Sequence, residues 1–136
     1  MATKAIVISI YFLFRGTVLS NILYGHENKT RQDVQSLIDS LGLREYIDRM
    51  AKGLDTEISQ NTSGVSGGQS QIIAFIRALL DDKDIIILDE PIANVDIETC
   101  NLIIQILKDK KYDGVSIVIP HQTNKMNFLN KVIKIK

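Results

Sequence analysis

Two short and largely apolar runs of this chain have the composition of strands inside a sheet. IIIL at 85–88 carries charges only at its ends, and VSIVI occupies 115–119. Such runs are typical of parallel strands buried on both faces. Between them, 97–108 places Leu102, Ile103, Ile106 and Leu107 at helical spacing, on the face expected to point inward. Strand, helix and strand in this order predict a βαβ unit, and therefore a parallel sheet and an α/β fold.

The rest of the chain is predicted to be mainly helical. We predict a strand at 5–8, a short strand or loop at 12–14, helices at 30–41, 43–51 and 67–80, a loop at 53–65 and a possible further strand at 132–135. Thr30 is a good N-cap with Asp33 three residues later, and Gly42 follows the last apolar position of that helix.

Composition narrows the class of protein. With 136 residues, 45% of them apolar, one ordinary globular domain is expected. Lys plus Arg equals Asp plus Glu at 16 each, so the net charge does not indicate a nucleic-acid binder. The apolar run at 5–14 is shorter than the roughly 18 residues of a membrane span. The single cysteine, Cys100, excludes a disulfide within the chain.

SGVSGGQSQ at 63–71 predicts a helix start that can hold an anion. Ser66 and Gln69 have the spacing of a capping box, in which both side chains satisfy backbone N–H groups. Gly67 and Gly68 then occupy the first turn, where they leave donors and the positive end of the helix dipole open to a phosphate. A glycine in a helix costs about 1 kcal/mol relative to alanine, so a pair of them requires a reason. The alternative is a glycine-rich helix entry without a ligand.

Two acidic residues and a histidine follow the predicted strands. Asp89 and Glu90 end the 85–88 strand, and His121 comes just after the 115–119 strand. The carboxyl ends of parallel strands are where ligands bind in open α/β sheets. One acid is suited to hold Mg²⁺ through water and the other to act as a base. A charged strand end and a structural histidine are the alternatives, and His26, in a polar loop, is assigned no role.

Together these motifs resemble the nucleotide-binding domain of ABC transporters. VSGGQ at 65–69 corresponds to the signature motif, IIILDEP at 85–91 to Walker B, ANVD at 93–96 to the D-loop and IPH at 119–121 to the H-loop. LFRGTVLSNILYG at 13–25 and DTEIS at 55–59 are similar to segments of exporters.

The resemblance runs from about residue 5 to the end and implies part of a P-loop NTPase (ABC ATPase) fold. The implied organisation is a remnant of the core at 1–25, a helical subdomain at 26–80 and a catalytic core at 81–136.

The resemblance also implies a role for each matching residue. Ser66, Gly67, Gly68 and Gln69 would contact the γ-phosphate of ATP bound to a partner domain in a head-to-tail dimer, and Asp96 would couple the two sites. Asp89 would hold Mg²⁺ through water, Glu90 would be the general base, and His121 would contact the γ-phosphate. The implied partners are a second nucleotide-binding domain and the transmembrane domain of an exporter, which would place the chain at the cytoplasmic face of a membrane.

The chain also departs from the family pattern. None of its 8 glycines is followed by lysine, so the Walker A loop G-x-x-x-x-G-K-[ST] is absent from these residues. The chain therefore looks like the C-terminal three-fifths of such a domain. The Q-loop glutamine is expected near Ser9 or Ile10 and is missing, and Ile72, Ser70 and Gln122 stand where basic residues are usual.

Two functional hypotheses follow from this mixture. In the first, the chain is the ATP-hydrolysing component of an exporter once a phosphate loop is supplied. In the second, it is a non-catalytic remnant or docking module that offers its signature motif to a complete ATPase. An ABC ATPase of DNA repair or translation is a weaker alternative because of the exporter-like segments and the neutral charge. We also expect strand 85–88 to lack part of its neighbouring strands and the isolated chain to be only marginally stable.

Overall fold

The structure is a computed structural model that describes residues 5–8, 12–59, 61, 64–81, 84–89, 95–109 and 114–119, with the backbone alone at 5–8. Its strands are β1 (Ala5–Ile8), β2 (Gly16–Thr17), β3 (Glu57–Ile58), β4 (Ile85–Asp89) and β5 (Val115–Ile119). Its helices are α1 (Val18–Leu23), α2 (Arg31–Ser40), α3 (Arg44–Asp48), α4 (Gly67–Leu79) and α5 (Ile97–Lys108), with a 3₁₀ turn at Gly53–Asp55.

The main sheet has the order β1-β4-β5, and both pairings are parallel. Ala5 is in register with Ile85, and Ile85 with Val115, so the predicted βαβ unit is confirmed. The expectation that strand 85–88 would lack part of its neighbouring strands is wrong, because β1 and β5 pair with β4 on its two sides. The possible strand at 132–135 lies outside the described residues.

The sheet is buried on one face only among the described residues. Ile86 and Leu88 of β4 are 0% and 1% exposed and belong to the same core as the apolar residues of α4 and α5. On the other face, Val115, Ile117 and Ile119 are 59%, 46% and 46% exposed. The prediction that 85–88 and 115–119 are both fully buried strands is therefore wrong. An apolar run shows that a strand is suited to burial, but the number of covered faces depends on the elements that pack on it.

The helical predictions are largely confirmed. Thr30 caps α2 and forms a capping box with Asp33, and Gly42, at φ 72°, follows the helix in the left-handed conformation that favours glycine. Helix α5 buries Ile103, Ile106 and Leu107, as its spacing predicted, while Leu102 packs partly buried against the core.

Helix α1 was not predicted. Its capping box joins Thr17 to Ser20, and the Ser20 hydroxyl takes the place of the usual Glu or Gln. Val18 and Ile22 are both 0% exposed, which anchors the short helix in the core. The segment predicted as a loop at 53–65 also contains β3, which pairs antiparallel with β2.

Candidate functional site

The predicted helix start at 66–69 is present at the N-terminus of α4. The Ser66 hydroxyl oxygen accepts from the backbone N–H of Gln69 at 3.1 Å, and Gln69 Oε1 accepts from the backbone N–H of Ser66 at 2.8 Å. This reciprocal pair is the capping box that the sequence predicted. It does not use the Nε2 donors of Gln69 or the hydroxyl hydrogen of Ser66, so both side chains keep donors suited to an anion.

The two glycines of this turn have different surroundings. Gly67 is exposed, and a Cβ added there would have no neighbour within 4 Å. Gly68 is buried, and a Cβ added there would lie 2.5 Å from Thr99 Oγ1 and closer still to Asp96 Oδ2. Gly67 therefore fits the predicted open anion site, whereas Gly68 is required for the close approach of α4 to the start of α5.

Asp96 caps α5 beside this turn. Its carboxylate accepts from the backbone N–H of Thr99 at 2.8 Å and from the Thr99 hydroxyl at 2.9 Å. These two hydrogen bonds, the backbone one first, hold the pKa of Asp96 below its usual value. The side chain is exposed and stays ionised near neutral pH. The structure thus brings the 66–69 turn and Asp96 together, although they are far apart in sequence.

Asp89 ends β4 at the carboxyl edge of the sheet, where it is partly buried and in register with Ile119. Magnesium sites often use one or two carboxylates plus phosphate oxygens, so a single carboxylate at this edge fits a water-mediated Mg²⁺ contact. Among the described residues no cluster of three or more His, Cys, Asp or Glu could hold a metal ion. Glu90 and His121 lie outside the described residues.

Comparison with known proteins identifies the family. The family model "ABC transporter" matches residues 3–93. The chain belongs to the ABC transporter family. Domains of this family bind ATP, generally with Mg²⁺.

Several members of the ABC transporter family are similar over most of this chain. The ABC transporter ATP-binding protein YknV of Bacillus subtilis is 36% identical over 95% of this chain and 21% of its own length. The ATP-dependent lipid A-core flippase of Vibrio parahaemolyticus is 34% identical over 95% of this chain and 22% of its own length. The transport/processing ATP-binding protein ComA of Streptococcus pneumoniae is 37% identical over 90% of this chain and 17% of its own length.

A solved structure confirms the ABC ATPase fold. A bacterial Atm1-family ABC exporter with ATP bound superposes with a TM-score of 0.77 at 25% identity, covering 90% of this chain and 22% of that one. The chain spans about a fifth of the length of the curated relatives named above. No helix in the described part of this ABC chain is long and apolar enough to cross a membrane.

The two exporter-like segments of this ABC chain lie side by side. β2, within 13–25, pairs with β3, within 55–59, in the register Gly16 with Ile58 and Thr17 with Glu57. The Val18 N–H also donates to Thr56 O at 3.0 Å. The segments that resembled exporters in sequence thus form one continuous surface through the β2–β3 pair.

Arg77 joins the C-terminal part of α4 to the segment that contains β2 and α1, a role that no sequence pattern predicted. Its guanidinium donates to Asn21 O at 2.7 Å and to Phe12 O at 2.9 Å, and lies 5.6 Å from the centroid of the Phe14 ring. Burial lowers the pKa of Arg77, although an arginine remains charged at neutral pH.

His26, which was assigned no role, has both ring nitrogens engaged. Nδ1 lies 2.8 Å from Asp81 Oδ2 and Nε2 lies 2.9 Å from Arg77 O. The side chain is 8% exposed. A histidine with both nitrogens engaged inside the protein is a structural link between the loop after α1 and the end of α4.

Proposed function

We propose that the chain is part of the ATP-binding component of an ABC exporter, which couples ATP binding and hydrolysis to transport across a membrane. The observation that carries the proposal is the contact between the 66–69 turn and Asp96. In the family these are the signature motif and the D-loop, which serve one composite nucleotide site. The exporter relatives and the Atm1-family structure support the assignment to an exporter.

The 66–69 turn, called the signature turn from here on, has the chemistry to contact a γ-phosphate. The Ser66 hydroxyl, the Gln69 amide and the exposed backbone at Gly67 offer hydrogen-bond donors at the positive end of α4. Gly68 lets α5 approach, so Asp96 lies beside the same turn. In this proposal the turn contacts ATP held by a partner domain, and Asp96 couples the two sites.

The catalytic groups are proposed at the carboxyl edge of the sheet. Asp89 would hold Mg²⁺ through water, Glu90 would take a proton from the attacking water, and His121 would contact the γ-phosphate. Mg²⁺ would offset charge on the phosphate oxygens when bound. Phosphoryl transfer depends mainly on positioning and charge stabilisation, which is what these residue types supply.

The partners follow from the same assignment. A second nucleotide-binding domain in a head-to-tail arrangement would supply the nucleotide that the signature turn contacts. A transmembrane domain would hold the chain at the cytoplasmic face of the membrane. The surface built by β2, β3 and α1 is our candidate for that contact, because it contains both exporter-like segments.

A non-catalytic docking role is the second candidate. It is favoured by one observation, the lack of any Gly-Lys pair within the 136 residues. Without the lysine and backbone cradle of a phosphate loop, the 136 residues alone should not hold ATP tightly.

An ATPase assay separates the two candidates. The chain alone should show no ATPase above background. The same chain joined behind a segment with a G-x-x-x-x-G-K-[ST] loop from an exporter should hydrolyse ATP, and Glu90→Gln should lower that rate by about 10²- to 10⁴-fold. Turnover by the chain alone that Glu90→Gln abolishes would refute the requirement for an added loop. A joined protein that folds and binds ATP but never hydrolyses it would favour the docking role.

A further inference from the structure

Two consecutive hydrogen bonds, the first of them buried, link helix α3 to the start of α5. The Tyr46 hydroxyl lies 2.9 Å from Thr99 Oγ1, and the Thr99 hydroxyl donates to Asp96 Oδ2 at 2.9 Å. Tyr46 is 7% exposed and Thr99 is 0% exposed. The first bond therefore forms out of contact with bulk water, where hydrogen bonds are stronger.

The donor and acceptor in each of the two hydrogen bonds follow from the number of hydroxyl hydrogens. A threonine hydroxyl has one hydrogen, and here Thr99 gives it to the Asp96 carboxylate. Tyr46 must then be the donor to Thr99 Oγ1. Burial raises the pKa of the Tyr46 hydroxyl, so it keeps its proton at neutral pH. A donor that is itself polarised by another donor makes a stronger bond, so Tyr46 strengthens the contact of Thr99 with Asp96.

The two oxygen atoms of the Thr99–Asp96 hydrogen bond also lie against the signature turn. Thr99 Oγ1 and Asp96 Oδ2 are the atoms that a side chain at position 68 would meet. If Thr99 turned away, the surface against which Gly68 packs would change. A surface ion pair, Arg49 to Glu98, also joins α3 to α5, and the Arg49 guanidinium lies 5.6 Å from the Tyr46 ring centroid.

We propose that Tyr46 is a positioning residue that acts through Thr99 to fix the Asp96 carboxylate against the signature turn. The turn and Asp96 would then move as one unit with α3. A role of that unit in nucleotide binding rests on the proposed function, but the two hydrogen bonds themselves do not.

The test is a ¹³C NMR titration of the Asp96 carboxyl group in the full 136-residue chain without nucleotide. Tyr46→Phe removes only the hydroxyl and should raise the Asp96 pKa and shift the Gly68 amide resonance. Thr99→Val should raise the pKa further, because it removes the hydroxyl that touches Asp96. Thr99→Ser, which keeps a hydroxyl, should keep the pKa low.

The double variant isolates the relay. In the Thr99→Val background, Tyr46→Phe should cause no further change, because no hydroxyl remains to transmit it. Tyr24→Phe is the matched control, since Tyr24 is 59% exposed and is not one of the residues joined by these two hydrogen bonds.

Two outcomes would overturn the proposal. The first is an unchanged Asp96 pKa in a folded Tyr46→Phe variant. The second is a change in the Asp96 pKa on Tyr46→Phe that persists in the Thr99→Val background. If Thr99→Val unfolds the chain, the comparison of Tyr46→Phe with Thr99→Ser decides, because only the former should raise the pKa. The titration uses no ATP, so its result stands whether or not the ATPase assay supports the proposed function.

Discussion

Gly67 and Gly68 are neighbours with opposite environments, which makes the pair a sensitive test of the site. Both belong to the first turn of α4, and neither has a positive φ, so alanine fits the backbone at both positions. Only Gly68 faces other atoms, those of Thr99 and Asp96.

Gly68→Ala should therefore destabilise the chain, and Gly67→Ala should not. Overpacking at position 68 is expected to cost about 1–3 kcal/mol of the free energy of unfolding. At position 67, alanine should be neutral or stabilising by up to about 1 kcal/mol through helix propensity. Urea unfolding of both variants measures the difference. Equal effects would mean that α4 and α5 do not approach each other as the structure indicates.

The sequence predicted part of this site and not the rest. The capping box of Ser66 and Gln69 follows a local three-residue spacing, so it could be read directly. The contact of Gly68 with Thr99 and the relay from Tyr46 join residues far apart in the chain, which no local pattern records. The family resemblance placed Asp96 at the site but gave no role to Tyr46.

Helix α1 and the end of α4 show how a short element depends on distant partners. Arg77 binds Asn21 and Phe12, which precede it by 56 and 65 residues. Helix α1 has only 6 residues, too few to be stable alone in water. Its capping box uses Thr and Ser rather than the Thr-x-x-Glu pattern, so the sequence did not predict it.

Arg77→Met should destabilise the packing of α1 on α4. The substitution keeps most of the side-chain length but leaves the carbonyl oxygens of Phe12 and Asn21 without this donor, at a cost of about 1–3 kcal/mol for each oxygen that stays buried. Arg77→Lys should recover only part of the loss, because lysine lacks the planar fork of donors.

Arg31→Met is the matched control for this measurement. Arg31 forms an ion pair with Asp55 in which the Arg31 side chain is 39% exposed and the Asp55 side chain 64% exposed. Its loss should lower the free energy of unfolding by no more than about 1 kcal/mol. Chemical denaturation of the three variants checks the order, and a loss for Arg77→Met no larger than that for Arg31→Met would refute the structural role of Arg77.

Among the described residues, one face of the main sheet is covered and the other is exposed. The apolar runs predicted the strands, and their alternation with a helix predicted the parallel order and the α/β class. It did not predict the exposure of Val115, Ile117 and Ile119, because that depends on which elements cover the second face. An exposed apolar face is consistent with our prediction of marginal stability for the isolated chain.

Ile117 and Val118 test this arrangement on one strand. Ile117→Thr should change the free energy of unfolding by less than about 0.5 kcal/mol, because that side chain is exposed. Val118→Thr should lower the free energy of unfolding by about 1–3 kcal/mol, because Val118 packs partly buried against the core and the hydroxyl of the new threonine would lack a partner there. Equal costs in urea unfolding would show that the Ile117 face is covered in solution.

A subunit-mixing ATPase assay tests most directly the proposal that the signature turn acts on a partner's nucleotide. The protein is the chain joined to a phosphate-loop segment, in which Gly67→Asp places a negative charge at a position where an added Cβ has no neighbour within 4 Å. Gly67→Asp and Glu90→Gln should each inactivate the homodimer.

Mixing the two inactive proteins should restore ATPase, because one composite site then combines an intact Glu90 with an intact signature turn from the other subunit. No restoration, with both variants folded and dimeric, would contradict the proposed arrangement.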